Sequence, residues 1–213
     1  MIQTLSKNWY LLALSALLTA LSSAIYFILY DAGPDSTHLL GWRVEVMLLS
    51  KLLIAAGVCA IAAGVWRPEK GIPWLLVLNG LALSAYGLIP LLTRAGLSFR
   101  LFALLVAVMA MSLGFFALTV ARAMRYQQHG ADMWMFGASG VALLGSAFAF
   151  IALVNGWIQL ERRPFHPSLF LWFCAFFGFS AVIMLTFAVR LRRLGPSQAE
   201  SNEGFLLGNP KHA

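Results

Sequence analysis

Apolar residues in this chain come in long unbroken runs, without the alternation of a half-buried strand or the narrow stripe of a water-facing helix. Six runs stand out, at about 9–30, 44–66, 73–93, 101–124, 133–157 and 168–190. Each reaches the length of about 20 apolar residues that a helix needs to cross a hydrocarbon core of about 30 Å. A membrane barrel would need short strands of alternating polarity. Stretches 101–108 and 169–179 show none, so helices are expected throughout. The pattern therefore predicts an all-α bundle of six transmembrane helices. Its longest connections are residues 31–43 and the tail from Leu194, leaving little for a soluble domain. The first run follows Lys7 and contains Ser22 and Ala24, which resemble a signal cleavage site. It continues to Tyr30, beyond the apolar region of about 7–15 residues in a secretory signal, so an uncleaved first helix is expected.

Polar punctuation within the runs repeats. Trp9 is followed six residues later by Ser15, Trp74 by Gly80 and Trp134 by Gly140. Ser15, Thr19 and Ser22 sit at the same offsets as Gly80, Ser84 and Gly87. Steps of four and three keep each trio on one helix face, and small residues there let membrane helices approach closely. The third copy is looser, with Leu144 and then Gly145 and Ser146 after Gly140. Basic residues close the even-numbered helices: Arg67, then Arg122 and Arg125, then Arg190, Arg192 and Arg193. These marks predict three parallel helical-hairpin repeats at about 9–67, 74–125 and 134–193, with a period of about 60–65 residues. Together they form one domain, 1–193. The Gly, Pro, Ser, Glu and Asn content of 194–213 predicts a disordered tail. Trp172 and Gly178 show the same offset from the opposite side, so the offset alone has little specificity. Parallel repeats, and prolines confined to loops or to Pro90 near a helix end, argue against a transporter built from inverted repeats with broken helices.

Composition agrees with the pattern. With 61% hydrophobic and 11% charged residues and a mean hydropathy of +0.81, the chain has too few polar residues to cover a water-soluble core. All seven tryptophans, Trp9, Trp42, Trp66, Trp74, Trp134, Trp157 and Trp172, fall near helix ends, where an amphipathic ring anchors at the interface. Lysine and arginine sort to one side. Lys7, Arg67, Lys70, Arg122, Arg125, Arg190, Arg192, Arg193 and Lys211 oppose Arg43, Arg94, Arg100, Arg162 and Arg163. By the positive-inside rule both termini are expected in the cytoplasm. The net charge of +7 then reflects topology and attraction to anionic lipid. No basic stripe with stacking aromatics suggests nucleic acid. The expected partner is the lipid bilayer, with a second copy or another membrane protein as further candidates.

Candidate chemistry is sparse. The eight acids map to loops, helix ends or the tail, which disfavours a pump built on buried carboxylates. Lys51 is the exception among charges, inside the second run. It either snorkels to the surface or forms a polar or ligand site with Glu45, Asp31 or an anion. Asn79, next to Gly80, is the other candidate for such a site, although an amide in hydrocarbon ordinarily bonds a neighbouring helix. Asn155 reads the same way. Cys59 and Cys174 lie at depths too different for a disulfide, and His38, His129, His166 and His212 make no metal spacing with them. No cofactor, metal or catalytic set is expected. One expected surface face carries Asp31, Asp35, His38, Glu45, Glu161 and His166. Solvated loops account for it, but His38 and His166, beside Asp31 and Asp35, could also charge together as pH falls through about 6.5.

The opening Trp74-Leu-Leu-Val-Leu-Asn79-Gly80, three hairpins in about 200 residues, and the close Ala188-Val189-Arg190-Leu191-Arg192-Arg193 resemble the HdeD-like acid-resistance membrane proteins of bacteria. The resemblance spans residues 9–193 and rests on degenerate apolar motifs. Ser15 stands where that family has glycine, the first outer loop is long, and no proline follows the first or fifth helix. The resemblance implies a non-enzymatic protein of the bacterial inner membrane, associated with acid stress, with no catalytic residues to transfer. A small channel or transporter using Lys51 and Asn79, and an accessory subunit of a larger complex, are the alternatives.

Overall fold

The computed structural model describes residues 2–32, 39–66, 72–92, 99–125, 130–155 and 167–206. Among them it contains helices and no strands. These are α1 (Ile2–Lys7), α2 (Trp9–Ala32), α3 (Leu39–Val65), α4 (Trp74–Leu92), α5 (Phe99–Arg125), α6 (Gly130–Val154) and α7 (Pro167–Leu206). Six are long and apolar enough to cross a membrane, over Trp9–Ile28, Val46–Val65, Trp74–Leu92, Arg100–Arg122, Met133–Val154 and Leu171–Arg192. The chain is a multi-pass membrane protein. Two features depart from the expected boundaries. Short α1 precedes the first span and buries Leu5 in the core, and α7 continues to Leu206 through a tail expected to be disordered from Leu194. The Gly195–Pro196 pair lies inside this helix.

Neighbouring spans run antiparallel, and α7 returns to pack on α2, so the six form a ring. Contact is most extensive between α3 and α4, α5 and α6, and α2 and α7, while α6 and α7 approach each other at few backbone positions. The tightest seams thus join one predicted hairpin to the next. Small residues explain where two of these seams close. A Cβ on Gly57 of α3 would lie 2.2 Å from Ser84 Oγ and 2.5 Å from the Gly80 carbonyl of α4. Farther along, a Cβ on Gly87 would lie 2.6 Å from the Ser50 carbonyl. Gly114 of α5 and Gly140 of α6 repeat the arrangement, each Cβ falling about 3 Å from the other's carbonyl. These backbones touch because nothing projects between them.

The predicted packing faces do not all serve alike. Those of α4 and α6 lie against the preceding helix, through Gly80, Ser84, Gly87 and Gly140. That of α2 turns to the following one, where Ser15 Oγ donates to the Ala56 carbonyl at 2.8 Å. Thr19 and Ser22 are buried but bond back to the Ser15 and Leu18 carbonyls of their own helix. Gly145 is a correction: a Cβ there would meet nothing within 4 Å, so it takes no part in close packing. It is exposed on the outside of α6, five residues past Gly140 and out of register with the other two copies.

Aromatic rings fill the middle. Phe116, Phe136, Phe150, Phe177 and Phe187 are fully buried. Phe187 of α7 packs against Phe116 of α5 at 5.7 Å and Phe136 of α6 at 4.5 Å between ring centroids. The α6/α7 seam is therefore bridged by rings where the α3/α4 and α5/α6 seams are closed by backbone.

Candidate functional site

Lys51 and Asn79 were the polar groups inside the spans with most promise of a shared site, and the fold separates them. Lys51 is exposed on the outer surface of α3, in line with exposed Met47 and Val58. It stands five residues inside the Val46–Val65 span, about 7.5 Å at 1.5 Å per residue. A lysine stem can carry its ammonium that distance to the interface. The snorkelling alternative fits this position, and a cation buried between helices does not. Asn79 instead is buried on α4. It faces α5, where Ser112 Oγ lies 3.5 Å from its Oδ1 while bonding the Met109 carbonyl at 2.9 Å. A path lined by both residues is not formed. The Glu45 and Asp31 side chains, and all of Asp35, His38 and His166, lie outside the described residues, so the expected titratable face does too.

What the fold does assemble is a buried tyrosine pair. Tyr26 of α2 and Tyr86 of α4 share a 2.6 Å hydrogen bond between hydroxyls, and both side chains are buried. Phe177 stacks on Tyr26 at 5.5 Å and meets Tyr86 edge-on at the same separation. Phe102 and Phe173 complete the enclosure. The pair thus links α2 to α4 across the bundle, inside a cage contributed by α5 and α7. Sequence reasoning missed it. The available signal was a tyrosine within each of two apolar runs, since a buried phenol needs a partner for its hydroxyl.

Asn8 is a second residue the pattern did not single out. It is 3% exposed, and its side-chain amide donates to the carbonyls of Ala63, at 3.3 Å, and Trp66. A helix end leaves its last carbonyls without partners, and Asn8 supplies them for α3. Its own carbonyl accepts from the Leu11 amide at 3.0 Å. At the same end the guanidinium of Arg192 sits 4.9 Å from the centre of the Trp9 ring, which ties α7 to α2. Trp74 and Trp134, 69% and 75% exposed, have the free surface expected of interfacial anchors.

Among the remaining polar groups, Ser23 also binds two helices together. Ser23 Oγ of α2 donates to the Cys174 carbonyl of α7 at 2.8 Å and lies 3.5 Å from its sulfur. Both cysteines are free thiols. The hydroxyls of Ser50, Ser84 and Ser180 are buried without a hydrogen-bond partner. Among the described residues no group of three or more His, Cys, Asp or Glu could hold a metal. Two furrows open on the bundle's outer surface, one of about 500 Å³ between α2 and α7 and one of about 410 Å³ between α6 and α7. Comparison with protein-family models, curated proteins and solved structures yields no match. Function must therefore be argued from the residues.

Proposed function

We propose that this protein is a non-enzymatic component of the bacterial inner membrane, of the HdeD-like kind, that supports the envelope under acid stress with both termini in the cytoplasm. The observation that carries the non-transport part is the filled bundle axis. Phe116, Phe136, Phe150, Phe177 and Phe187 occupy it, and the charged Lys51 is on the outside. A hydrophilic solute needs polar lining to replace its hydration, and these rings offer none. The acid-stress part rests on the resemblance of the Trp74–Gly80 and Ala188–Arg193 segments. Deleting the gene should lower survival at low external pH and leave growth at neutral pH intact, with restoration by the full chain. Equal survival of the deleted and parental strains would remove the stress role.

An accessory-subunit reading is favoured by one feature, the lysine on a lipid-facing helix surface, because such a charge often marks a partner. Pull-down in mild detergent separates the readings. A stoichiometric partner lost on Lys51→Leu supports the subunit, and a lone protein supports the first.

A further inference from the structure

Two span ends meet in a basic corner of the bundle. Trp9 opens the Trp9–Ile28 span and Arg192 closes the Leu171–Arg192 span, so both stand where hydrocarbon gives way to headgroups. The Arg192 guanidinium lies over the Trp9 ring, 4.9 Å from its centre, and the residue remains exposed. Lys7, also exposed, precedes Trp9 by two residues and ends α1, which packs against α7. Asn8, between them, is pinned to the Ala63 and Trp66 carbonyls of α3. The backbone that carries Lys7 and Trp9 is thereby fixed to one helix, and the ring contact fixes Arg192 of another helix beside it.

A guanidinium that covers a ring with its face keeps its N–H donors, which lie in its plane, directed to the side. Ring contact also restricts a side chain rich in rotamers, so less ordering remains when a ligand arrives. Such a fork matches the paired oxygens of a phosphate. At this depth the abundant phosphates are those of lipid headgroups. A zwitterionic headgroup carries its own cation beside the phosphate, which Arg192 and Lys7 would repel, whereas an anionic headgroup brings the negative charge alone. Arg122 supplies the comparison. It closes the Arg100–Arg122 span and is exposed, so it sets the same charge at the same level, but on α5, which packs between α4 and α6 and away from this corner.

We propose that Arg192 and Lys7, with Trp9 as the positioning residue, bind the phosphate of an anionic phospholipid headgroup at the corner of α1, α2 and α7. Native mass spectrometry of the full chain, titrated with phosphatidylglycerol or phosphatidylcholine of identical acyl chains, provides the test. The first phosphatidylglycerol should be retained severalfold more strongly than phosphatidylcholine. Arg192→Gln should erase that preference and Lys7→Gln should reduce it, while Arg122→Gln should keep it. Trp9→Leu should reduce it with no change of charge. Should Arg192→Gln or Trp9→Leu fail to fold, Arg192→Lys, which keeps the charge and loses the fork, should also reduce the preference. Inorganic phosphate at millimolar concentration should not displace the lipid. Equal retention of the two lipids, a loss with Arg122→Gln as large as with Arg192→Gln, persistence of the preference in folded Arg192→Gln or Arg192→Lys, or displacement by inorganic phosphate would each overturn the proposal.

Discussion

Tyr26 and Tyr86 show how a polar group survives inside an apolar bundle. One hydroxyl donates to the other, inside a cage of phenylalanines. Membrane hydrogen bonds stabilise by about 0.6 kcal/mol on average and about 1.7 at most, because the unfolded chain in lipid also finds partners. This pair should lie toward the upper end, since both phenols are buried. Tyr26→Phe is expected to destabilise by about 1–2 kcal/mol. Tyr26→Phe with Tyr86→Phe should cost less than the sum of the single changes, the signature of coupling in a double-mutant cycle. Unfolding in mixed detergent and SDS micelles measures both. Asn8→Ala leaves the Ala63 and Trp66 carbonyls without its amide and should cost about 1–3 kcal/mol in the same assay. Neither site was legible beforehand. Asn8 precedes the first apolar run, and its acceptors lie 55 and 58 residues away.

Among the helices, the small residues determine which seams close by backbone contact. Gly57→Ala puts a methyl 2.2 Å from Ser84 Oγ and 2.7 Å from the Ser84 amide nitrogen. Backbone must move, so overpacking should cost about 1–3 kcal/mol. Gly137→Ala is the contrasting change, because a Cβ there meets nothing within 4 Å. Relief of glycine's helix penalty should make it neutral or up to about 1 kcal/mol stabilising. Comparing the two in one unfolding series checks that contact, not glycine content, sets the effect. The residues at the tryptophan offsets, Gly80, Ser84, Gly87 and Gly140, lie at helix contacts, whereas Gly145, out of register in the looser third copy, does not. A face pattern marks a side of a helix, but the neighbour that meets it depends on how the whole ring closes.

For the whole molecule, the contact between the first and last spans is decisive. Ser23 Oγ and Cys174 Sγ lie 3.5 Å apart across 151 residues of sequence. Ser23→Cys should therefore form an intrachain disulfide with Cys174 under mild oxidation, read as a crosslink that survives proteolysis between the spans and disappears in Cys174→Ser. A failure to crosslink in folded protein would contradict the α2/α7 closure. The ring also explains why Lys51 and Asn79, 28 positions apart in sequence and on adjacent helices, share no site. One points outward from α3, and the other points from α4 toward α5.

Run length and composition by themselves determine that six helices cross a membrane, because hydrocarbon leaves the backbone no choice but internal hydrogen bonding and demands apolar side chains over a set length. Small residues at helical spacing mark one side of two close seams, at Gly80, Ser84, Gly87 and Gly140, but not the opposing Gly57, Ser50 and Gly114. Tertiary structure alone decides which helix each face meets, since apolar helices are nearly interchangeable partners in lipid and selection among them rests on steric fit and a few polar contacts. It is the ring closure of α7 on α2 that ties Ser23 to Cys174 and Trp9 to Arg192. The remaining packing pairs Tyr26 with Tyr86 and leaves one seam propped open by phenylalanine rings.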